Sequence, residues 1–152
     1  CGGCYSFEPL VNSWKEDLPD YVNFSKMPVT WGPIHQLHAS LFYTIEALEL
    51  NSSIHSAVFI TIHKDGNMLT SQESIVKFLS KSGIEPETAE KYLNSFSIKQ
   101  KVTRDLQTQR QLRASSVPLI IIDGTYKIQS QGSFSDVLKV ADHVIALQRP
   151  NS

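Results

Sequence analysis

The sequence predicts an α/β protein whose chain ends carry the mixed elements and whose middle is a block of helices. Three observations predict this. A Cys1-Gly2-Gly3-Cys4 motif runs directly into a helical apolar pattern. Helical spacing of apolar residues then recurs from Ile34 to Ala114. Val117-Pro118 finally leads into the apolar run Leu119-Ile120-Ile121-Ile122, a turn at Asp123-Gly124 and a last amphipathic helix.

The first helix is expected over Cys4–Leu18, with Phe7, Leu10, Val11 and Trp14 forming its buried face and Pro9 bending it within its first turns. Leu18-Pro19-Asp20 reads as a turn and Tyr21–Val29 as a strand, with Pro28 near its end. Trp31-Gly32-Pro33 breaks the chain. Leu37, Leu41, Ile45 and Leu48 predict a helix over Ile34–Leu50, and Asn51-Ser52-Ser53 ends it and caps the next, which runs from Ile54 to about His63. Ser71 opens a helix with Ile75, Phe78 and Leu79 inward, and Ser82-Gly83 stops it. Pro86 opens another, with Tyr92, Leu93 and Phe96 inward. Ser97 to about Ala114, with five basic residues and one acidic, reads as a solvated surface helix with a thin apolar seam. Leu119–Ile122 is expected to be a buried strand and Thr125–Ile128 its hairpin partner. The closing helix, Phe134–Leu147, presents Val137, Leu138, Val140, Ala141, Val144 and Ile145.

Composition narrows the function classes. The chain has 152 residues, 41% of them hydrophobic, and a net charge of −1, so no global attraction to nucleic acid is implied and none is assigned as a partner. The basic stretch Lys99–Arg113 is read as a solvated face. The longest apolar run is too short to span a bilayer. The residues contain no secretory signal pattern.

The two cysteines of C-x-x-C can close a small disulfide ring or supply half of a tetrahedral metal site. No further cysteine completes a Cys4 or Cys3His set. His35 and His38 could complete a zinc site only with unusually short histidine spacing and a far longer intervening segment than a zinc finger has. Redox chemistry is therefore the leading reading. A C-x-x-C at a helix N-terminus is also where a thiolate is favoured by the helix dipole and free N–H groups.

Three segments together resemble the DsbA family of thiol:disulfide oxidoreductases: Cys1-Gly2-Gly3-Cys4-Tyr5-Ser6-Phe7-Glu8; Val117-Pro118 entering the apolar strand, with Asp123-Gly124-Thr125-Tyr126 after it; and the helical insertion. The resemblance implies a thioredoxin-like fold, residues 1–31 and 115–152, with residues 32–114 as the inserted helical domain. It implies Cys1 as attacking and leaving sulfur, Cys4 as resolving sulfur, and a cis Val117-Pro118 loop where substrate backbone pairs. Glu8 is a candidate for proton transfer to Cys4, beside the plainer reading of a carboxylate at a groove edge. No metal or organic cofactor is implied. The partners implied are folding exported proteins with cysteines and an inner-membrane protein, DsbB-like, that reoxidises the pair; the compartment implied is the periplasm. A reductase or isomerase on the same fold, and a non-catalytic zinc-binding module, are the competing readings.

Two departures from the family pattern stand out. Gly2-Gly3 occupies the dipeptide that is usually Pro-His or similar. The central strand expected before the C-x-x-C is absent from this sequence, so further residues are expected upstream of Cys1.

Overall fold

The computed structural model describes residues 2–129 and 132–150. Cys1 lies outside them. The described elements run α1 (Gly2–Glu16), α2 (Pro33–Ala47), α3 (Ser52–His63), α4 (Gln72–Lys81), α5 (Pro86–Leu93), α6 (Phe96–Gln111), β1 (Leu119–Ile122), β2 (Tyr126–Gln129) and α7 (Phe134–Leu147). The chain divides into two compact units, residues 1–26 with 112–152 and residues 27–111.

In the first unit, β1 and β2 form an antiparallel hairpin with Ile120 opposite Ile128 and Ile122 opposite Tyr126. Asp123, Gly124 and Thr125 link the paired positions, and Asp123 and Gly124 both take positive φ, 55° and 64°, in the tight turn inside that loop. Thr125 N–H closes the turn on the Ile122 carbonyl at 3.1 Å. The core joins Phe7 of α1, Ile128 of β2 and Val137, Leu138 and Ala141 of α7, with Val11, Trp14, Ile120, Ile122, Phe134 and Val144 packed around them. Phe7 and Phe134 meet at 4.9 Å between ring centres. A capping box starts α7: Ser133 Oγ accepts from Asp136 N–H, and the Asp136 carboxylate accepts from Ser133 N–H.

The second unit is helical. α2 is buried on two sides. Leu41 and Ile45 join Leu69, Ile75, Val76, Leu79, Ala89 and Leu93 in one cluster, while Ala39 and Tyr43 join Ile98 and Val102 of α6 in another. Pro33 and Pro86 occupy the first turns of α2 and α5, where an N–H is unpaired in any case. Asn51 caps α3, and Ser71 with Ser74 forms the capping box of α4.

Several expectations are corrected. Tyr21–Val29 is not a strand. It forms no ladder, although exposure alternates from Tyr21 to Pro28, with Val22, Phe24, Lys26 and Pro28 turned partly inward and Tyr21, Asn23, Ser25 and Met27 outward. Alternation is a property of the local chain, whereas a ladder needs a neighbouring strand, and the sheet among the described residues contains β1 and β2 alone. For the same reason β1 is half-buried at all four positions instead of enclosed. Phe96, expected inward, is 75% exposed, because it begins α6 rather than continuing the face of α5. Leu10 (43%) and Val140 (50%) sit at the margins of their apolar faces and are also exposed. The thin seam of α6 is Ile98, Val102, Asp105 and Gln109, so half of it is polar and buried.

Candidate active site

Cys4 lies in the first turn of α1, half-buried and disulfide-bonded. The sequence holds one other cysteine, Cys1, which falls outside the described residues. Gly2 starts the helix on the surface, and a Cβ placed there would meet nothing within 4 Å. The glycine therefore answers to no steric demand of its neighbours.

Glu8 follows Cys4 by four residues, so a helix of 3.6 residues per turn sets both on one face, one turn apart. Asn12 continues that face. The segment after α1 supplies the partner for both: Lys26 Nζ donates to the Glu8 carboxylate and to Asn12 Oδ1, the latter at 2.9 Å. The three side chains are half-buried together. Removing a charge from water is unfavourable unless it is paired, and Lys26 and Glu8 satisfy each other. Sequence reading did not single out Lys26 or Asn12. The available signal was the register: Lys26 stands on the same inward side as Val22, Phe24 and Pro28, where a lysine needs a partner.

Val117-Pro118 immediately precedes β1, and the bond between them is cis, as the resemblance implied. Both residues are half-buried. Cys4, Glu8 and this loop belong to the same compact unit.

The histidines of the zinc alternative are engaged in the helical unit. His38 Nε2 lies 3.1 and 3.0 Å from the Met68 and Leu69 carbonyls, and the His35 ring stands edge-on to Trp31. Among the described residues no group of three or more His, Cys, Asp or Glu side chains could hold a metal ion. No described helix is long and apolar enough to cross a membrane.

The description "DSBA-like thioredoxin domain" matches residues 4–140. The chain belongs to the DsbA-like thioredoxin family. It is 34% identical over 151 residues to the thiol:disulfide interchange protein DsbA of Azotobacter vinelandii, covering 98% of this chain and 71% of that protein. Against the DsbA of Pseudomonas aeruginosa it is 33% identical, with 98% and 72% covered. The crystal structure of Pseudomonas aeruginosa DsbA superposes with a TM-score of 0.91 over 97% of this chain and 78% of that one. The oxidoreductase DsbA from Xylella fastidiosa, at 19% identity and a TM-score of 0.90, shares the fold. As a DsbA-like protein, the chain is a thiol:disulfide oxidoreductase with a thioredoxin-like fold that carries a helical insertion.

Proposed function

We propose that this protein works as an oxidant, passing the disulfide between Cys1 and Cys4 to exported proteins in the periplasm as they fold. The observation that carries the reading is a C-x-x-C at the start of α1, with Cys4 in a disulfide, in a chain that belongs to the DsbA-like family. A substrate thiolate attacks the Cys1 sulfur, the Cys1–Cys4 bond breaks, and Cys4 leaves as a thiolate. A second substrate thiolate then attacks the substrate sulfur of this mixed disulfide and expels Cys1. Two electrons pass from substrate to protein, the substrate gains its disulfide, and both cysteines end reduced. A DsbB-like protein of the inner membrane accepts those two electrons and restores the pair.

The helix N-terminus favours Cys1 as the better leaving thiolate, since unpaired N–H groups and the dipole stabilise negative charge there. Glu8, one turn beyond Cys4, delivers or receives the proton that Cys4 exchanges as it becomes thiol or thiolate. The Val117-Pro118 loop offers its backbone to an extended substrate chain.

The test is substrate trapping. Cys4→Ser should accumulate mixed disulfides with an unfolded substrate that carries a disulfide, because its Cys1 thiolate opens that bond and no second cysteine releases the product, and Cys1→Ser should form none. A Cys1→Ser variant that still oxidises a reduced dithiol peptide at the wild-type rate would reject these roles. A reduced wild-type protein that rearranges existing disulfides, together with an oxidised form that leaves dithiols unoxidised, would favour the isomerase reading.

A further inference from the structure

At the end of α1 away from Cys4, a crevice of about 380 Å³ is lined by Trp14, Asp17, Pro19, Tyr21, Asp142 and Ala146. Its volume is within the range of small-ligand sites, about 300–1,000 Å³. Three independent features give it one electrostatic character.

The first is its walls. The Trp14 indole N–H donates to Asp142 Oδ1 at 2.7 Å, and the Tyr21 hydroxyl donates to the Ile145 carbonyl at 3.0 Å. Trp14 is also held edge-on against Phe24, with ring centres 6.1 Å apart. Two aromatic rings are thus anchored to α7 before any ligand arrives, and aromatic faces attract cations.

The second is its charge. Asp17 and Asp142 both line the crevice, and neither forms an ion pair among the described residues. The Trp14 bond uses one oxygen of Asp142 and leaves the other available.

The third is the backbone. α1 ends at Glu16 and α7 at Leu147, so Trp14 with Asp17 and Ala146 place the C-terminal turns of two helices at the crevice. The carbonyls there are paired, Trp14 O with Asp17 N–H at 3.2 Å and Ala146 O with Arg149 N–H at 3.3 Å, and the two helix dipoles still direct their negative ends to the crevice. Lys15 is the basic residue of the last turn of α1, and it does not line the crevice; α7 has none in its last turn.

We propose that this crevice is a binding site for a small organic cation, an ammonium or guanidinium group on a short alkyl chain. The charged end sits between Asp17 and Asp142, and the chain lies along Trp14 and Tyr21. Such a group exists in free amines and in basic side chains of polypeptides, and the recognition chemistry is the same for both.

The test follows the indole N–H resonances of the oxidised full chain. The protein has two tryptophans, so Trp31 serves as the internal control. Agmatine should move the Trp14 resonance in a saturable way in the millimolar range and leave Trp31 in place. Asp17→Asn and Asp142→Asn should each weaken binding about twofold to fivefold, as expected for a partly exposed charge pair. Raised salt should weaken it further. A blocked tripeptide with a central arginine forms the second arm: binding of agmatine alone assigns free amines, binding of the peptide alone assigns polypeptide side chains, and binding of both assigns the group wherever it is carried. An unmoved Trp14 resonance with both probes overturns the proposal. So does an equal shift with uncharged 1,4-butanediol, or binding unchanged in both asparagine variants. Dithiol oxidation should be unaltered in both variants.

Discussion

Lys26 reaches back over eighteen residues of chain to pair its ammonium with the carboxylate of Glu8, one helical turn past Cys4. The pair fastens the segment after α1 to the face of that helix that carries the cysteine, and Asn12 adds a second acceptor. Lys26→Met leaves a half-buried carboxylate without its cation and should lower stability by about 1–2 kcal/mol in urea unfolding of the oxidised protein. Glu8→Gln with Lys26→Met should recover part of that loss. A proton-transfer role for Glu8 adds a separate signature: Glu8→Gln should slow reoxidation of the reduced pair and change its pH profile. If the variant loses stability with an unchanged profile, Glu8 acts only as a structural partner.

Asp105 of α6 is 2% exposed and accepts a hydrogen bond from the Tyr43 hydroxyl of α2. Burial pushes its carboxyl above the usual range, against the Tyr43 bond and the positive charges of Arg104 and Lys101, while Glu46 adds to the rise. Burial and the bond to Asp105 likewise push the Tyr43 hydroxyl well up. The folded protein therefore keeps the Asp105 proton to a higher pH than the unfolded chain. The stability that this group contributes is fully present below the unfolded carboxylate value, about 3.9, and is lost as pH rises through the folded value. The stability of the wild type minus that of Asp105→Asn should fall as pH rises from about 3.5 toward neutrality and then level off. At pH 7, Tyr43→Phe should cost about 2 kcal/mol by leaving a buried carboxylate without its donor. Denaturant unfolding at a series of pH values measures both.

Gln109 closes the base of the helical unit. Its amide donates to the Pro28 carbonyl at 2.8 Å, and its carbonyl accepts from Thr30 N–H at 3.1 Å and Thr30 Oγ1 at 2.9 Å. Thr30 is fully buried, and Gln36 bonds its carbonyl as well. One side chain thus pairs polar groups that have no ladder to satisfy them. Gln109→Ala should destabilise by about 2–4 kcal/mol, since several buried groups lose partners together. Gln109→Glu keeps the acceptor but loses the amide donor, and it should be at least as damaging. Thermal unfolding of the two variants is the measurement, and a loss below about 0.5 kcal/mol in both would show that water replaces the amide.

The same residues mark where the sequence was and was not legible. Helices announced themselves through apolar spacing and capping residues such as Asn51, Ser71 and Ser133, because those signals are local. The turn at Asp123-Gly124 and the C-x-x-C helix were equally local. Tyr21–Val29 misled because its alternation is real while strand formation depends on a partner elsewhere. Asp105 and Gln109 looked like the polar face of a solvated helix; what buries them is Tyr43 on α2 and the backbone at Pro28 and Thr30, more than 60 residues away in each case. The pairing of Glu8 with Lys26 was hidden for the same reason, although Lys26 stood in an inward register.

The glycines between the cysteines lead to a prediction about redox poise. Gly2 begins α1, and open space surrounds its missing Cβ, so a side chain there meets no steric obstacle. Glycine leaves the reduced loop with more conformational freedom than any other residue and offers the thiolate no charged or polar group. The missing group disfavours the reduced form, in which an N-terminal thiolate is stabilised by positive charge; the freedom acts the other way, since closing a flexible ring costs entropy, and the electrostatic effect is taken as the larger. The native pair should therefore be a weaker oxidant than relatives with Pro-His at this position. Replacing Gly2-Gly3 by Pro-His places proline at the first helical position, which tolerates its missing N–H, and sets an imidazole next to Cys4. A cation within about 4–6 Å lowers an acidic group's pKa by about 1–3 units, and each 1.4 kcal/mol of preferential stabilisation of the reduced form corresponds to about 30 mV. The double variant should move the equilibrium with glutathione by about 30 mV or more in the oxidising direction and lower the Cys1 pKa read from thiolate absorbance. A potential that stays in place while the pKa falls would separate thiolate stabilisation from oxidising power in this protein.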